Sequence, residues 1–93
     1  EIFMIRLVEV VKQLNSYELR EVFVNPTHVI SLREDNHMQQ NLNEGTLPEG
    51  LDKRQRFTKL TLDKGSVGLE LTIVGTPAMI EGKLKDSKKV LNG

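Results

Sequence analysis

The sequence predicts an α+β fold: a small, mainly antiparallel five-stranded β-sheet with one short C-terminal helix, formed by residues 1–93 as a single domain. Three observations predict it. Residues 2–34 contain three short runs rich in Val, Ile, Leu and Phe, broken at Asn15-Ser16 and Asn25-Pro26. Residues 57–75 contain two more such runs around Lys64-Gly65-Ser66. Thr76-Pro77 then opens a segment whose apolar residues recur at helical spacing.

The first run, residues 2–14, has strand composition. One face carries Phe3, Ile5, Leu7 and Val11, interrupted by Glu9; the other carries Ile2, Met4, Val8 and Val10, interrupted by Arg6. A strand apolar on both faces suits the centre of a sheet or an oligomer interface. The competing reading is a helix, because Leu7, Val10, Val11 and Leu14 also fit helical spacing. Residues 17–24 form the second arm of a hairpin, with Tyr17, Leu19, Glu21 and Phe23 opposite Glu18, Arg20, Val22 and Val24. Asn25-Pro26 ends it, since proline lacks the ladder N–H and keeps its predecessor extended. Residues 28–34 make a third strand, with His28, Ile30 and Leu32 assigned to one face.

Residues 35–56 are polar and read as an insertion loop. Within it HMQQNLNE fits a short helix with Met38 and Leu42 at i, i+4, and LPEGL reads as a turn anchored by Leu47 and Leu51. The few apolar side chains predict a segment ordered by a partner, and so the seat of binding specificity. Phe57, Lys59 and Thr61 alternate with Thr58, Leu60 and Leu62 in the fourth strand; Val67, Leu69, Leu71 and Ile73 share a face of the fifth. Thr76 is the expected helix cap, Pro77 the first helical residue, and Met79, Ile80 and Leu84 the apolar stripe. Gly82 weakens this helix and offers close approach to the sheet. Residues 86–93 read as a flexible tail.

Composition narrows the function classes. The chain has 93 residues and 38% apolar residues, so its core is thin and self-association is the natural way to extend burial. Lys plus Arg and Asp plus Glu are 13 each, a net charge of zero, which argues against a globally basic nucleic-acid binder. No Cys is present, which excludes disulfides, thiolate metal sites and a cysteine nucleophile. No apolar run approaches the roughly 20 residues of a membrane span, and the first residues do not resemble a secretory signal. A cytoplasmic location is expected, and Met4 is a candidate natural start, with Glu1 to Phe3 outside the native chain.

The stretch VFVNPTHVISLRE, followed by KLTLDKG and TPAMIEGKL, resembles a pattern in very small bacterial and phage proteins, including the FlbD-type flagellar proteins. In it a hairpin strand ends in Asn-Pro, an HVISL-type strand follows, then a strand–Gly–strand unit, then a short helix. The resemblance covers roughly residues 17–34 and 57–85. Its motif residues Asn25, Pro26, Gly65 and Thr76 have structural roles. The 35–56 insertion departs from the flagellar pattern, so the resemblance implies a phage-type accessory protein, working in the host cytoplasm.

Catalytic chemistry finds little support. The histidines His28 and His37 sit at opposite ends of one strand segment, roughly 30 Å apart by strand rise. The carboxylates Asp63, Glu70 and Glu81 have no pairing by spacing, and no HExxH, GxSxG or phosphate loop occurs. The expectation is a non-enzymatic chain with no cofactor and no metal. The candidate binding residues are Lys53, Arg54, Arg56 and Phe57, with His37: arginine fits phosphate, and the Phe57 ring can stack a base. Acidic neighbours Glu44, Glu49 and Asp52 dilute this run, which also suits a solvated sheet edge. The function expected is therefore a small interaction protein, homo-oligomeric, that modulates a host protein or sequesters an anionic small molecule. The alternative is a nucleic-acid-binding regulator using the Lys53–Arg56 rim.

Overall fold

A computed structural model of the chain describes residues 4–45, 47, 50–64 and 67–92, with the side chains of 64, 67 and 87–92 outside that description. The expected strand start at residues 2 and 3, part of the LPEGL turn and the turn at 65 and 66 also lie outside the described residues.

Alternation of apolar and polar side chains makes the first two runs strands, overruling the helical reading of residues 2–14. They are β1 (Ile5–Lys12) and β2 (Tyr17–Val24), paired antiparallel without a break from Ile5↔Val24 to Lys12↔Tyr17. The side chain of Asn25 caps a 3-10 turn over Pro26–His28, accepting from the Thr27 N–H at 3.0 Å. β3 (Val29–Glu34) follows, then α1 (Asn36–Asn43), β4 (Phe57–Lys64), β5 (Val67–Val74) and α2 (Pro77–Asn92). The sheet order is β2-β1-β5-β4-β3, with every neighbouring pair antiparallel, so β2 and β3 are the edges. This is the predicted five-stranded α+β architecture, with a second helix contributed by the insertion.

β3 departs from simple alternation. Its register with β4 shifts between Val29 and Ser31, and the bulge turns Ile30 out to solvent, 61% exposed. Val29 and Leu32 then share the core face, in place of the expected His28, Ile30 and Leu32.

The two sheet faces bury different things. On one, Ile5, Leu7, Val24, Leu60 and Ile73 close around Ile80 of α2. Thr76 caps α2 as expected, its Oγ1 accepting from the Met79 N–H at 3.1 Å. Gly82 has open space where a side chain would stand, so close approach to the sheet is not its role. α2 continues to Asn92, through residues read as a tail from 86; no Gly or Pro falls between residues 83 and 92, and Lys85 pairs with Glu81 at 3.1 Å one turn back.

On the opposite face the insertion folds back on its own sheet. Leu42 and Leu47 are buried with Val10 and Phe57, and Met38, Leu51, Tyr17 and Val74 surround them. α1 is started by Asp35, whose Oδ1 accepts from the Met38 N–H at 3.2 Å. The leucines expected to await a partner are used internally.

Candidate functional site

The basic rim is built by a tight turn. The Asp52 carboxylate accepts from the Arg54 backbone N–H at 2.8 Å, and the Gln55 N–H donates to the Asp52 carbonyl at 2.8 Å. The Gly75 N–H donates to the Arg56 carbonyl at 2.8 Å, which fixes the turn to the end of β5. Between this turn and the start of α2 lies an open cleft of about 300 Å³, bordered by Arg54, Arg56, Thr76 and Met79.

Charge along the rim is largely matched within the chain. The Arg56 Nη1 donates to the Glu34 carboxylate at 2.7 Å and to Gln39 Oε1 at 3.1 Å. The Arg54 guanidinium lies 3.4 Å from both Asp52 carboxylate oxygens. That carboxyl is held below its ordinary value of 3.8, first by the Arg54 backbone N–H and second by the Arg54 side chain. Lys59 approaches Asp35 at 3.7 Å. Lys53 is exposed and has no ion pair among the described residues, and His37 is exposed on α1.

Phe57 requires a correction. It is 0% exposed, packed with Val10, Leu42 and Leu47, so its ring faces are closed to a base. As the first residue of β4 on the α1-covered face, it follows the basic run in sequence and leaves it in space. The rim therefore brings Arg54 and Arg56 to the cleft, leaves Lys53 on the outside of the turn, and includes neither Phe57 nor an ion pair to His37.

The remaining candidate groups are dispersed. His28 Nδ1 lies 3.3 Å from Asp63 Oδ1, with both side chains more than half exposed. Glu81 pairs with Lys85 on α2. Among the described residues no group of three His, Cys, Asp or Glu is arranged to hold a metal ion.

A second surface lies on the strand of residues 2–14 that the sequence marks, by its two apolar faces, for a sheet centre or an oligomer interface. Among the described residues, Met38, Leu42, Leu47 and Leu51 cover the insertion side of the sheet as far as Val10 and Tyr17. Beyond them Met4, Val8, Leu19 and Phe23 stand on the outer face of the β1–β2 hairpin at 49%, 41%, 39% and 56% exposure. The register sets Val8 beside Glu21 and Phe23 beside Arg6, and the Arg6–Glu21 ion pair at 3.4 Å crosses the patch. The sequence signal is the second apolar face of residues 2–14; how far the insertion covers that face depends on its tertiary packing.

Fold and surface together define a small α+β antiparallel-sheet protein with one sheet face closed by a helix and the other closed only in part. No family model matches the chain, and neither a curated protein nor a solved structure does. No helix among the described residues is long and apolar enough to cross a membrane.

Proposed function

We propose that this chain is a non-enzymatic protein-interaction module whose docking surface is the outer face of the β1–β2 hairpin. The observation that carries the reading is the uncovered group of Met4, Val8, Leu19 and Phe23 on a regular, well-paired hairpin. Several exposed apolar side chains on one sheet face suit contact with another protein, and burial of Phe23 alone is worth on the order of 1.5–3 kcal/mol. The patch carries one cation and one anion, Arg6 and Glu21, already paired. It therefore suits an apolar, charge-balanced protein surface. The resemblance to small phage proteins makes the partner a host protein and the chain a phage-encoded modulator that acts as a homo-oligomer in the host cytoplasm.

The readings based on anionic ligands are weaker. Arg54 and Arg56 already hold carboxylates, and a phosphate must displace Asp52, Glu34 and Gln39 to gain them. Phe57 is buried and offers no stacking platform. The cleft beside Arg54 and Arg56 remains the place where a nucleic-acid strand or small anion would bind if that alternative held.

The test compares wild type with Phe23→Asp and Arg56→Ala. Partners retained from host lysate are identified for each, and binding to single-stranded oligonucleotides is titrated at low and high salt. The expected result is a protein partner kept by Arg56→Ala, lost by Phe23→Asp and little affected by salt. Oligonucleotide binding that falls steeply with salt and is lost in Arg56→Ala would replace this reading with the nucleic-acid one.

A further inference from the structure

The two edges of the sheet are guarded differently. β3 is six residues long, bulged at Ile30 and entered through the Pro26 turn, three features that discourage strand addition. β2 is eight residues long, contains neither Pro nor Gly, and keeps unbroken register with β1. Among the described residues no strand pairs with its outer side, which presents a row of backbone groups. The hairpin identifies which ones: the Gln13 N–H donates to the Ser16 carbonyl at 2.7 Å, so this pair is hydrogen-bonded and alternate pairs beyond it are too. Lys12↔Tyr17, Val10↔Leu19, Val8↔Glu21 and Arg6↔Phe23 are then the non-hydrogen-bonded pairs. The N–H and C=O groups of Tyr17, Leu19, Glu21 and Phe23 face outward from the sheet.

We infer that β2 pairs with a second copy of itself, antiparallel across a two-fold axis at Leu19, joining two sheets into one. The deduction rests on the homo-oligomeric reading above and specifies its interface. Side-chain charge selects the register. An axis at Glu18, Arg20 or Glu21 sets that residue against its own copy, like charge against like. An axis at Val22 runs Glu18 into Pro26 of the partner subunit and leaves Arg20 opposite the partner's Val24. An axis at Leu19 sets Leu19 against the partner's Leu19, Tyr17 against the partner's Glu21, and Glu18 against the partner's Arg20. Glu18 and Arg20 already form an ion pair within one chain, so the two copies would alternate charge around a four-membered cluster. The charges that would otherwise protect the edge become complementary in this one register. Closure by a two-fold also ends the assembly at two copies, since β3 offers no equivalent edge. The two Leu19 side chains then lie together, and the Val8–Leu19–Phe23 surfaces of both copies become one continuous face.

The chain has no cysteine, so a single introduced thiol reports the register directly. A hydrogen-bonded antiparallel pair holds its Cα atoms about 5.5 Å apart, within disulfide range. The experiment combines sedimentation equilibrium of wild type, Arg20→Glu and Glu18→Arg/Arg20→Glu with oxidation of Leu19→Cys and Glu21→Cys. The expected result is a wild-type dimer at high micromolar concentration, weakened roughly tenfold or more by Arg20→Glu, which places like charges opposite twice. The double swap restores it, Leu19→Cys crosslinks readily, and Glu21→Cys does not. A wild-type dimer indifferent to Arg20→Glu, with no Leu19→Cys crosslink, would overturn the β2 interface and leave the homo-oligomeric reading intact. Ready crosslinking of Glu21→Cys would overturn the register. A wild-type monomer throughout would overturn both the interface and the homo-oligomeric reading, while partner capture through Phe23 would stand apart.

Discussion

Asp35 and Lys59 hold the insertion to the sheet through one carboxylate. Asp35 Oδ1 caps α1, while Oδ2 is buried without a hydrogen-bond partner among the described residues, 3.7 Å from the Lys59 ammonium. The Asp35 side chain is 6% exposed and that of Lys59 41%, so the pair is screened on one side only. Removing Lys59 leaves a buried carboxylate oxygen with no counter-charge. Lys59→Met is therefore expected to cost about 1–2 kcal/mol, less than a fully buried pair because water reaches the lysine. Asp35→Asn keeps a capping oxygen and is expected to cost less than Asp35→Ala, which loses the cap at about 1 kcal/mol as well. Urea unfolding of the double-mutant cycle checks this. If Lys59→Met is equally costly with Asn at 35, the pair is not coupled.

Leu42 tests whether the insertion belongs to the fold. It is 8% exposed and packs with Phe57 and Val10, so Leu42→Ala is expected to destabilise by about 2–3 kcal/mol. Replacing residues 36–52 by a short Gly-Ser linker should do more, because Phe57 and Val10 lose their cover. An unchanged urea midpoint for Leu42→Ala would return the segment to the status of a surface loop.

The strands were legible because period-two alternation survives wherever one sheet face is buried, as in Leu60–Leu62 or Leu71–Ile73. Ile30 departs from the alternation because a bulge adds one residue to it, and no local residue announces the bulge. The insertion was harder. Met38, Leu42, Leu47 and Leu51 are too sparse to suggest burial until Phe57 and Val10 are known to lie beneath them. Phe57 adjoins the basic run in sequence, but strand alternation assigns it to the face that α1 covers. The pairing of Arg56 with Glu34 joins residues 22 positions apart and depends on β3 lying beside β4. Such neutralisation is a property of topology, and so is the exposure of Phe23.

Gly75 and Gly82 should respond oppositely to the same substitution. Gly75 has φ +125°, and a Cβ there would overlap the Met79 methyl. Gly75→Ala is expected to destabilise by roughly 1–3 kcal/mol through the positive φ, the flexible Met79 methyl moving aside. Gly82 lies in mid-helix with open space around it, so Gly82→Ala should stabilise by about 0.4–1 kcal/mol. Thermal melts of the two variants, moving in opposite directions, check the assignment; a loss of stability in Gly82→Ala would mean that α2 packs differently around residue 82.

Asp52 should titrate below its ordinary value of 3.8, and the cause can be separated by substitution at one position. The larger contribution comes from the Arg54 backbone N–H at 2.8 Å, the smaller from the Arg54 guanidinium at 3.4 Å. A carboxyl whose folded pKa is depressed binds its proton more readily in the unfolded chain. Its contribution to stability is therefore complete above 3.8 and is lost as pH falls through the lower folded value. Arg54→Ala keeps the backbone donor and should retain most of the depression. Arg54→Pro removes that N–H and should return Asp52 close to its ordinary titration. Carbon-detected NMR of the Asp52 carboxyl across the acid range measures all three proteins. Full recovery of the ordinary value in Arg54→Ala would transfer the effect to the guanidinium, and with it the rigidity of the turn that borders the cleft.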